Sequence, residues 1–120
     1  MPYIPQADHK RLLADPKSVQ LPGEFNFLIT HTLLNHKGDD KALGLYISNL
    51  TDYYLVNNGK SYKSYNDIIG VFMCAAFEFY RRTKDDSTAT LLYQFAKTFY
   101  EIDVTSYEDK KMLENGDVFK

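Results

Sequence analysis

The sequence predicts an all-α protein: a compact bundle of four main helices, with short terminal helices and a proline-rich N-terminal arm. Apolar residues recur at spacings of three and four along four segments, which is the pattern of helices with one buried face. No useful length of sequence alternates between apolar and polar residues, as a half-buried strand does. At 120 residues, 44 % of them hydrophobic, the chain has the size and composition of a single helical domain over residues 1–120.

The N-terminal arm contains all 4 prolines of the chain, within residues 1–22. Proline fixes one backbone dihedral angle and lacks an N–H donor, so long helices are disfavoured here. We expect an extended arm interrupted by one short helix from Asp8 to Ala14, with Asp8 as its N-cap.

The first two long helices are expected at Glu24–His36 and Asp40–Val56. Glu24 suits the positive end of the first helix dipole, and Gly38 ends that helix. Asp39 or Asp40 caps the second helix, whose apolar residues form a one-sided stripe.

The third helix is expected at Tyr65–Lys84, opened by Ser64, and is the most apolar segment of the chain. Apolar residues nearly all round predict a central position in the bundle. Gly70 costs stability inside a helix, so we expect another backbone to approach closely there. Cys74 lies among apolar residues and is expected to be inert packing.

The fourth helix is expected at Ser87–Ile102, and the polar segment Asp103–Ser106 is expected to break it. A short helix over Tyr107–Glu114 then follows, capped by Ser106 and ended by Gly116.

Charge and cysteine content exclude several classes of protein. The 14 basic and 16 acidic residues give a net charge of −2, so nucleic acid is not an expected partner. The single cysteine excludes an intrachain disulfide framework and a multi-cysteine zinc site. The N-terminus lacks the features of a signal peptide, and the longest apolar run, Gly70–Phe77, is too short to span a membrane. We therefore expect a cytoplasmic protein that does not contact membranes.

Catalytic and metal-binding patterns are missing from the sequence. His31 and His36 are five residues apart, whereas a helical metal pair needs a spacing of four. A metal-dependent nucleotide hydrolase would have to assemble Glu24, Asp67 and Glu78, which are not paired at helical spacing, and is the least favoured alternative. We expect no enzymatic activity, no metal and no cofactor.

The most unusual polar residues lie near the end of the third helix. Glu78 interrupts the apolar stretch four residues before Arg82, which predicts that Glu78 forms an ion pair with Arg82 or with a residue of the C-terminal segment. An alternative interpretation is an anion site, in which Arg81 and Arg82 hold a phosphate with help from Tyr80 and Lys110.

Several segments resemble, in the same order, a family of short proteins of unknown function from tailed phages and bacteria. The segments are Pro2–Asp8, Gly23–Thr30, Tyr65–Val71, Glu78–Arg82, Tyr107–Lys111 and Glu114–Phe119. The resemblance implies an accessory protein of a phage or prophage in the cytoplasm of a bacterial host. It implies no activity and no catalytic residues. The chain departs from the pattern at Thr83–Ser106, which intervenes between two of these segments and supplies the fourth helix.

The resembling segments also concentrate polar residues, which suggests that the C-terminal segment folds back on the first and third helices. A structural polar network is expected from these side chains: Asn26, Asn66, Asp67, Glu78, Glu108 and Asp109.

Two functions remain open. Abundant tyrosine, 10 residues beside no tryptophan, favours a non-catalytic interaction protein that forms a homo-oligomer or binds a host protein. The arginines instead favour a protein that binds or sequesters a small nucleotide or another phosphate ligand. An exposed aromatic surface would support the first function, and a cavity lined by both arginines would support the second.

Overall fold

The computed structural model describes residues 3–35 and 39–118. The α-helices are α1 (Gln6–Ala14), α2 (Pro22–Leu34), α3 (Asp40–Asn58), α4 (Tyr62–Thr83), α5 (Asp86–Phe99) and α6 (Thr105–Asn115). A 3-10 turn at Pro16–Ser18 separates α1 from α2, and a π-helical turn at Tyr100–Val104 joins α5 to α6. These two ranges contain no β-strand, which confirms the all-α class. None of their helices is long and apolar enough to cross a membrane.

The centre of the bundle is α4, which packs against both α2 and α5. Phe72 of α4 lies edge-on to Phe25 of α2 and to Phe99 of α5, with ring centroids 6.0 and 6.4 Å apart. The central position predicted for this helix is therefore correct.

One face of α4 is nevertheless open to solvent. Gly70, Cys74 and Phe77 are exposed and follow one another at spacings of four and three, so they share this face. A Cβ built at Gly70 would meet no atom within 4 Å. The close backbone approach expected at Gly70 and the buried packing expected for Cys74 are both wrong, because hydrophobic composition does not specify which side of a helix its neighbours cover.

The helix starts follow their capping residues. Asp39 caps α3 by accepting a hydrogen bond from the backbone N–H of Ala42 at 2.7 Å, as expected. The start of α4 lies three residues earlier than predicted, because Ser61 rather than Ser64 is its cap. Likewise α5 begins after Asp85, one residue before the expected start at Ser87.

The ends of the chain differ from expectation in a similar way. Asp8 is not an N-cap: α1 begins at Gln6 after Pro5, and Asp8 lies in its first turn. The end predicted for the first long helix at His36 and Gly38 lies outside the described residues. Pro2, Phe119 and Lys120 also lie outside them.

The break expected at Asp103–Ser106 is wrong. The chain makes a π-helical turn there, in which the backbone N–H of Thr105 bonds to the carbonyl of Tyr100, and it then continues as α6. This wide turn places Val104 in the core at 4 % exposure, whereas Ile102, the last residue of the predicted fourth helix, is 65 % exposed. Since the helix does not restart, Ser106 is not a cap. Gly116 ends α6 as expected, with a φ of +91°.

Candidate functional site

Arg81 and Arg82 both face the carboxylate of Glu78. Arg81 donates from Nη2 to Oε1 at 2.7 Å and from Nε to Oε2 at 3.1 Å. Arg82 donates from Nε to Oε1 at 3.1 Å, which is the ion pair expected from the spacing. Only 13 % of the Glu78 side chain is exposed. The Glu78 carboxylate is thus partly shielded from solvent and paired with both arginines at the end of α4.

Tyr3 of the N-terminal arm completes this cluster. Its hydroxyl donates to the Glu78 carboxylate and accepts from Nη2 of Arg81 at 2.8 Å and from Nη2 of Arg82 at 3.3 Å. The cluster therefore fastens the arm to α4. Sequence reasoning missed Tyr3 because it is 75 residues from Glu78, and helical spacing gives no signal over that distance.

Hydrogen bonds from Arg81, then from Tyr3 and Arg82, lower the pKa of Glu78 from 4.5 to about 2. A lowered folded-state pKa means that the ionised form is favoured by folding. The contribution to stability is complete above the ordinary pKa and is lost as the pH falls towards about 2.

We therefore expect Glu78→Gln to lose about 1–2 kcal/mol near neutral pH, allowing for solvent screening of the arginines. The loss should shrink as the pH is lowered. Urea unfolding at neutral pH and at low pH measures the difference, and Glu101→Gln, at an exposed carboxylate, is the control. A loss of stability that is the same at both pH values would contradict the lowered pKa of Glu78 in the folded protein.

The four residues proposed as anion ligands are not all brought together. A cavity beside the cluster, called here the arm cavity, is lined by Arg82 but not by Arg81, Tyr80 or Lys110. The ring of Tyr80 instead lies 5.3 Å from the ammonium of Lys84. Anion binding by this set stays a prediction, and the arginines' contacts with Glu78 and Tyr3 favour a structural role.

The arm cavity has a volume of about 260 Å³ and lies between the arm, α2 and the end of α4. His9 stacks on Phe27, with ring centroids 4.4 Å apart, and His31 lies 5.7 Å from the same ring. His9 Nε2 is 3.1 Å from the carbonyl oxygen of Ile4, so Nε2 carries the proton. The cavity wall thus includes four rings, those of Tyr3, His9, Phe27 and His31, and its carboxylate and guanidinium groups are those of Glu78 and Arg82.

A second surface lies where α4 begins and α6 returns to it. We call it the tyrosine groove, and its aromatic residues are Tyr62, Tyr65, Tyr100 and Tyr107. Two hollows of about 600 and 140 Å³ meet there, both lined by Tyr62 and Glu108. The rings of Tyr65 and Tyr107 pack edge-on at 5.2 Å, which joins α6 to α4. The predicted contact of the C-terminal segment with the third long helix is therefore confirmed, whereas its predicted contact with the first long helix stays a prediction.

The tyrosines of the groove are not equally buried. Tyr65 is buried, and burial raises the pKa of its hydroxyl, as does the nearby charge of Asp103. Tyr62 is 64 % exposed, and Tyr100 is also open to solvent. The Tyr100 hydroxyl donates to Oε1 of Glu108 at 2.7 Å, a bond that raises the pKa of Tyr100. The groove thus has two exposed rings, those of Tyr62 and Tyr100, above the buried ring of Tyr65.

The charged side chains around the groove are mainly acidic. Glu108, Asp109 and Asp117 line its larger hollow, where Lys111 is the one cation that residues 3–35 and 39–118 contribute to the lining. Lys111 lies 5.6 Å from the Tyr107 ring and pairs with Glu114 at 3.4 Å. Sequence reasoning noted the abundance of tyrosine but did not place these four tyrosines together.

The residues expected to form one polar network are distributed over the bundle. Asn26 accepts a hydrogen bond from the hydroxyl of Thr30 at 3.0 Å, inside the core. Asp67 accepts from the Tyr54 hydroxyl and from the Lys63 ammonium, each at 2.9 Å. These are separate local contacts.

The other members of that set lie elsewhere. Glu78 belongs to the cluster at the end of α4. Asn66, Glu108 and Asp109 line the tyrosine groove, so these three residues do share a surface.

The carboxylates that a metal-dependent hydrolase would need do not converge. Glu24 contacts Arg11, Asp67 contacts Lys63 and Glu78 contacts the arginines of α4. Within residues 3–35 and 39–118, no group of three His, Cys, Asp or Glu side chains is placed to hold a metal ion.

Comparison with known proteins gives a family but no activity. No curated protein and no solved structure matches the chain. The model of a domain of unknown function, DUF6899, matches residues 1–118, which include every helix and both surfaces described above. The chain therefore belongs to the DUF6899 family.

Proposed function

We propose that this protein is a non-catalytic binding protein, and that its tyrosine groove takes an arginine-containing segment of a protein partner. The observation that carries the proposal is the groove itself, where exposed tyrosine rings stand beside acidic side chains.

Tyrosine is well suited to such a contact. It supplies a large ring with few rotatable bonds and a polar tip, and it is enriched at protein interfaces. Tyr62 and Tyr100 offer exposed faces, whereas Tyr65 and Tyr107 fix the base of the groove through their edge-on packing. The groove therefore needs little reorganisation before a partner binds.

Charge selects the kind of partner. Glu108 and Asp109 put negative charge on a groove whose one lining cation, among the described residues, already pairs with Glu114. An arginine side chain satisfies both features, because its planar guanidinium stacks on aromatic rings and pairs with carboxylates. Lys111 above the Tyr107 ring is an internal example of a cation held against this surface.

The biological setting belongs to the same proposal. The resembling segments support a phage-type accessory protein acting in the cytoplasm of a bacterial cell, where the partner is a host protein. The exposed thiol of Cys74 fits a reducing compartment.

The proposal is tested by titrating ¹⁵N-labelled protein with the pentapeptide Gly-Arg-Gly-Arg-Gly and following backbone amide shifts. We expect the largest shifts in residues 62–69 and 100–117, and weaker binding of the lysine analogue, because lysine does not stack as a plane. The glutamate analogue should not bind.

Tyr62→Ala is the test variant and Tyr46→Ala its matched control, since both remove an exposed tyrosine but only Tyr62 lines the groove. We expect Tyr62→Ala to weaken binding about tenfold and Tyr46→Ala to leave it unchanged. Equal effects of the two variants would contradict the proposal. Sedimentation of the two variants tests whether the groove instead binds a second copy of this chain. In that case the protein is a dimer, and Tyr62→Ala dissociates it whereas Tyr46→Ala does not.

A further inference from the structure

We infer that the arm cavity is a second binding site, separate from the tyrosine groove, and that its ligand is a small aromatic carboxylate. The inference rests on three features of the cavity: the rings in its wall, the guanidinium of Arg82 at one end and its size.

The wall selects a flat apolar ligand. His9, Phe27 and His31 form a row of rings with centroid separations of 4.4 and 5.7 Å. Ile4 and Leu34 add aliphatic surface beside them. Aromatic rings prefer offset stacking or edge contacts with other rings, so a planar ligand is favoured over a sugar or an aliphatic chain.

The charged end selects an anion. The cavity wall holds one guanidinium, that of Arg82, and the carboxylate of Glu78, whose negative charge is also paired by Arg81 from outside the lining. Arg82, which lines the cavity, has five N–H donors. Its Nε donates to Glu78 and its Nη2 to Tyr3, so three donors make no bond within the described residues. These donors match the two acceptor oxygens of a carboxylate.

Size restricts the ligand further. The cavity volume of about 260 Å³ lies just below the usual range for drug-sized ligands, roughly 300–1,000 Å³. One or two fused rings bearing a carboxylate therefore suit it, and a nucleoside triphosphate does not. Because Tyr3 and Ile4 form part of the lining, the ligand lies beneath the N-terminal arm.

The experiment is an isothermal titration of the whole protein with 2-naphthoate and, separately, with the uncharged alcohol 2-naphthalenemethanol. We expect 2-naphthoate to bind at least about tenfold more tightly, because its charged carboxylate accepts two charge-assisted hydrogen bonds from Arg82, whereas the alcohol offers one neutral oxygen. Equal binding of the two compounds would overturn the inference.

Arg82→Gln should abolish this preference for the carboxylate. Lys84→Gln is the matched control, since it removes the same charge near the end of α4 from a residue that does not line the cavity. If both variants lose the preference for 2-naphthoate over the alcohol, the overall charge of the protein and not Arg82 is responsible. That result would contradict a binding site in the arm cavity.

Leu34→Glu keeps the assignment testable if Arg82→Gln destabilises the fold. Leu34 lines the cavity but is partly open to solvent, so a carboxylate there can be hydrated. We expect Leu34→Glu to weaken the binding of 2-naphthoate at least about tenfold and to weaken the binding of the alcohol much less. Retention of full 2-naphthoate binding in Leu34→Glu would place the ligand elsewhere.

Discussion

Replacing Phe25 by alanine is expected to lower the free energy of unfolding by about 3–5 kcal/mol. Phe25 is completely buried, and its ring lies 5.1 Å from that of Tyr54 in α3 and 6.0 Å from that of Phe72 in α4. Truncation removes the transfer free energy of the ring and leaves a cavity where three helices meet. Urea unfolding followed by circular dichroism measures the loss, as a lower midpoint at an unchanged slope.

The control for this variant is Leu113→Ala. Leu113 is a large apolar residue of α6 but is 84 % exposed, so its truncation should change stability by no more than about 0.5 kcal/mol. Similar losses for the two variants would mean that the junction of α2, α3 and α4 is not packed as described.

Arg11→Met is expected to cost about 2–3 kcal/mol, because it leaves the buried carboxylate of Glu24 without a cation. Glu24 also accepts hydrogen bonds from the backbone N–H groups of Gln20 and Leu21, each at 3.0 Å. Burial raises the pKa of Glu24, but these bonds and the charge of Arg11 outweigh it, so the net pKa is lowered. Methionine keeps most of the length of the side chain but removes the charge and the N–H donors, including those that bond to Ser18 and Asp8.

A double-mutant cycle with Glu24→Gln separates this pair from general effects on the arm. Once the carboxylate is neutral, Arg11→Met should cost much less, and the difference is the coupling free energy of the pair. Lys10→Met, at the exposed neighbouring cation of α1, is the matched control and should be nearly neutral. Purely additive losses would exclude the Arg11–Glu24 contact.

The helices could be predicted from the sequence because each carries its own local signal. Apolar spacing located α2 to α5, and capping residues set their starts to within three residues. The ion pair of Glu78 and Arg82 was equally local, since both residues lie on one helix at a spacing of four. Such features depend on neighbours along the chain and need no knowledge of the packed structure.

The two candidate sites could not be predicted, because both depend on contacts between distant segments. Tyr3 meets Glu78 only after the arm has folded over α4, and the rings of Tyr65 and Tyr107 meet only because α6 turns back. The segment Asp103–Ser106 also misled the prediction. Asp, Val, Thr and Ser all have modest helix propensity, yet burial of Val104 offsets that preference.

The π-helical turn makes the tyrosine groove depend on the number of residues in the chain as well as on their identity. A π turn holds one residue more than the α-helical repeat, and each residue of an α-helix advances about 100° around its axis. Removing one of residues 101–103, which lie in this turn but do not line the groove, would therefore swing α6 through about a quarter of a circle and carry Tyr107 away from Tyr65. Every helix would survive such a deletion, and the groove would not. A length change at this turn is thus a way for related chains to gain or lose the surface without altering any side chain that lines it.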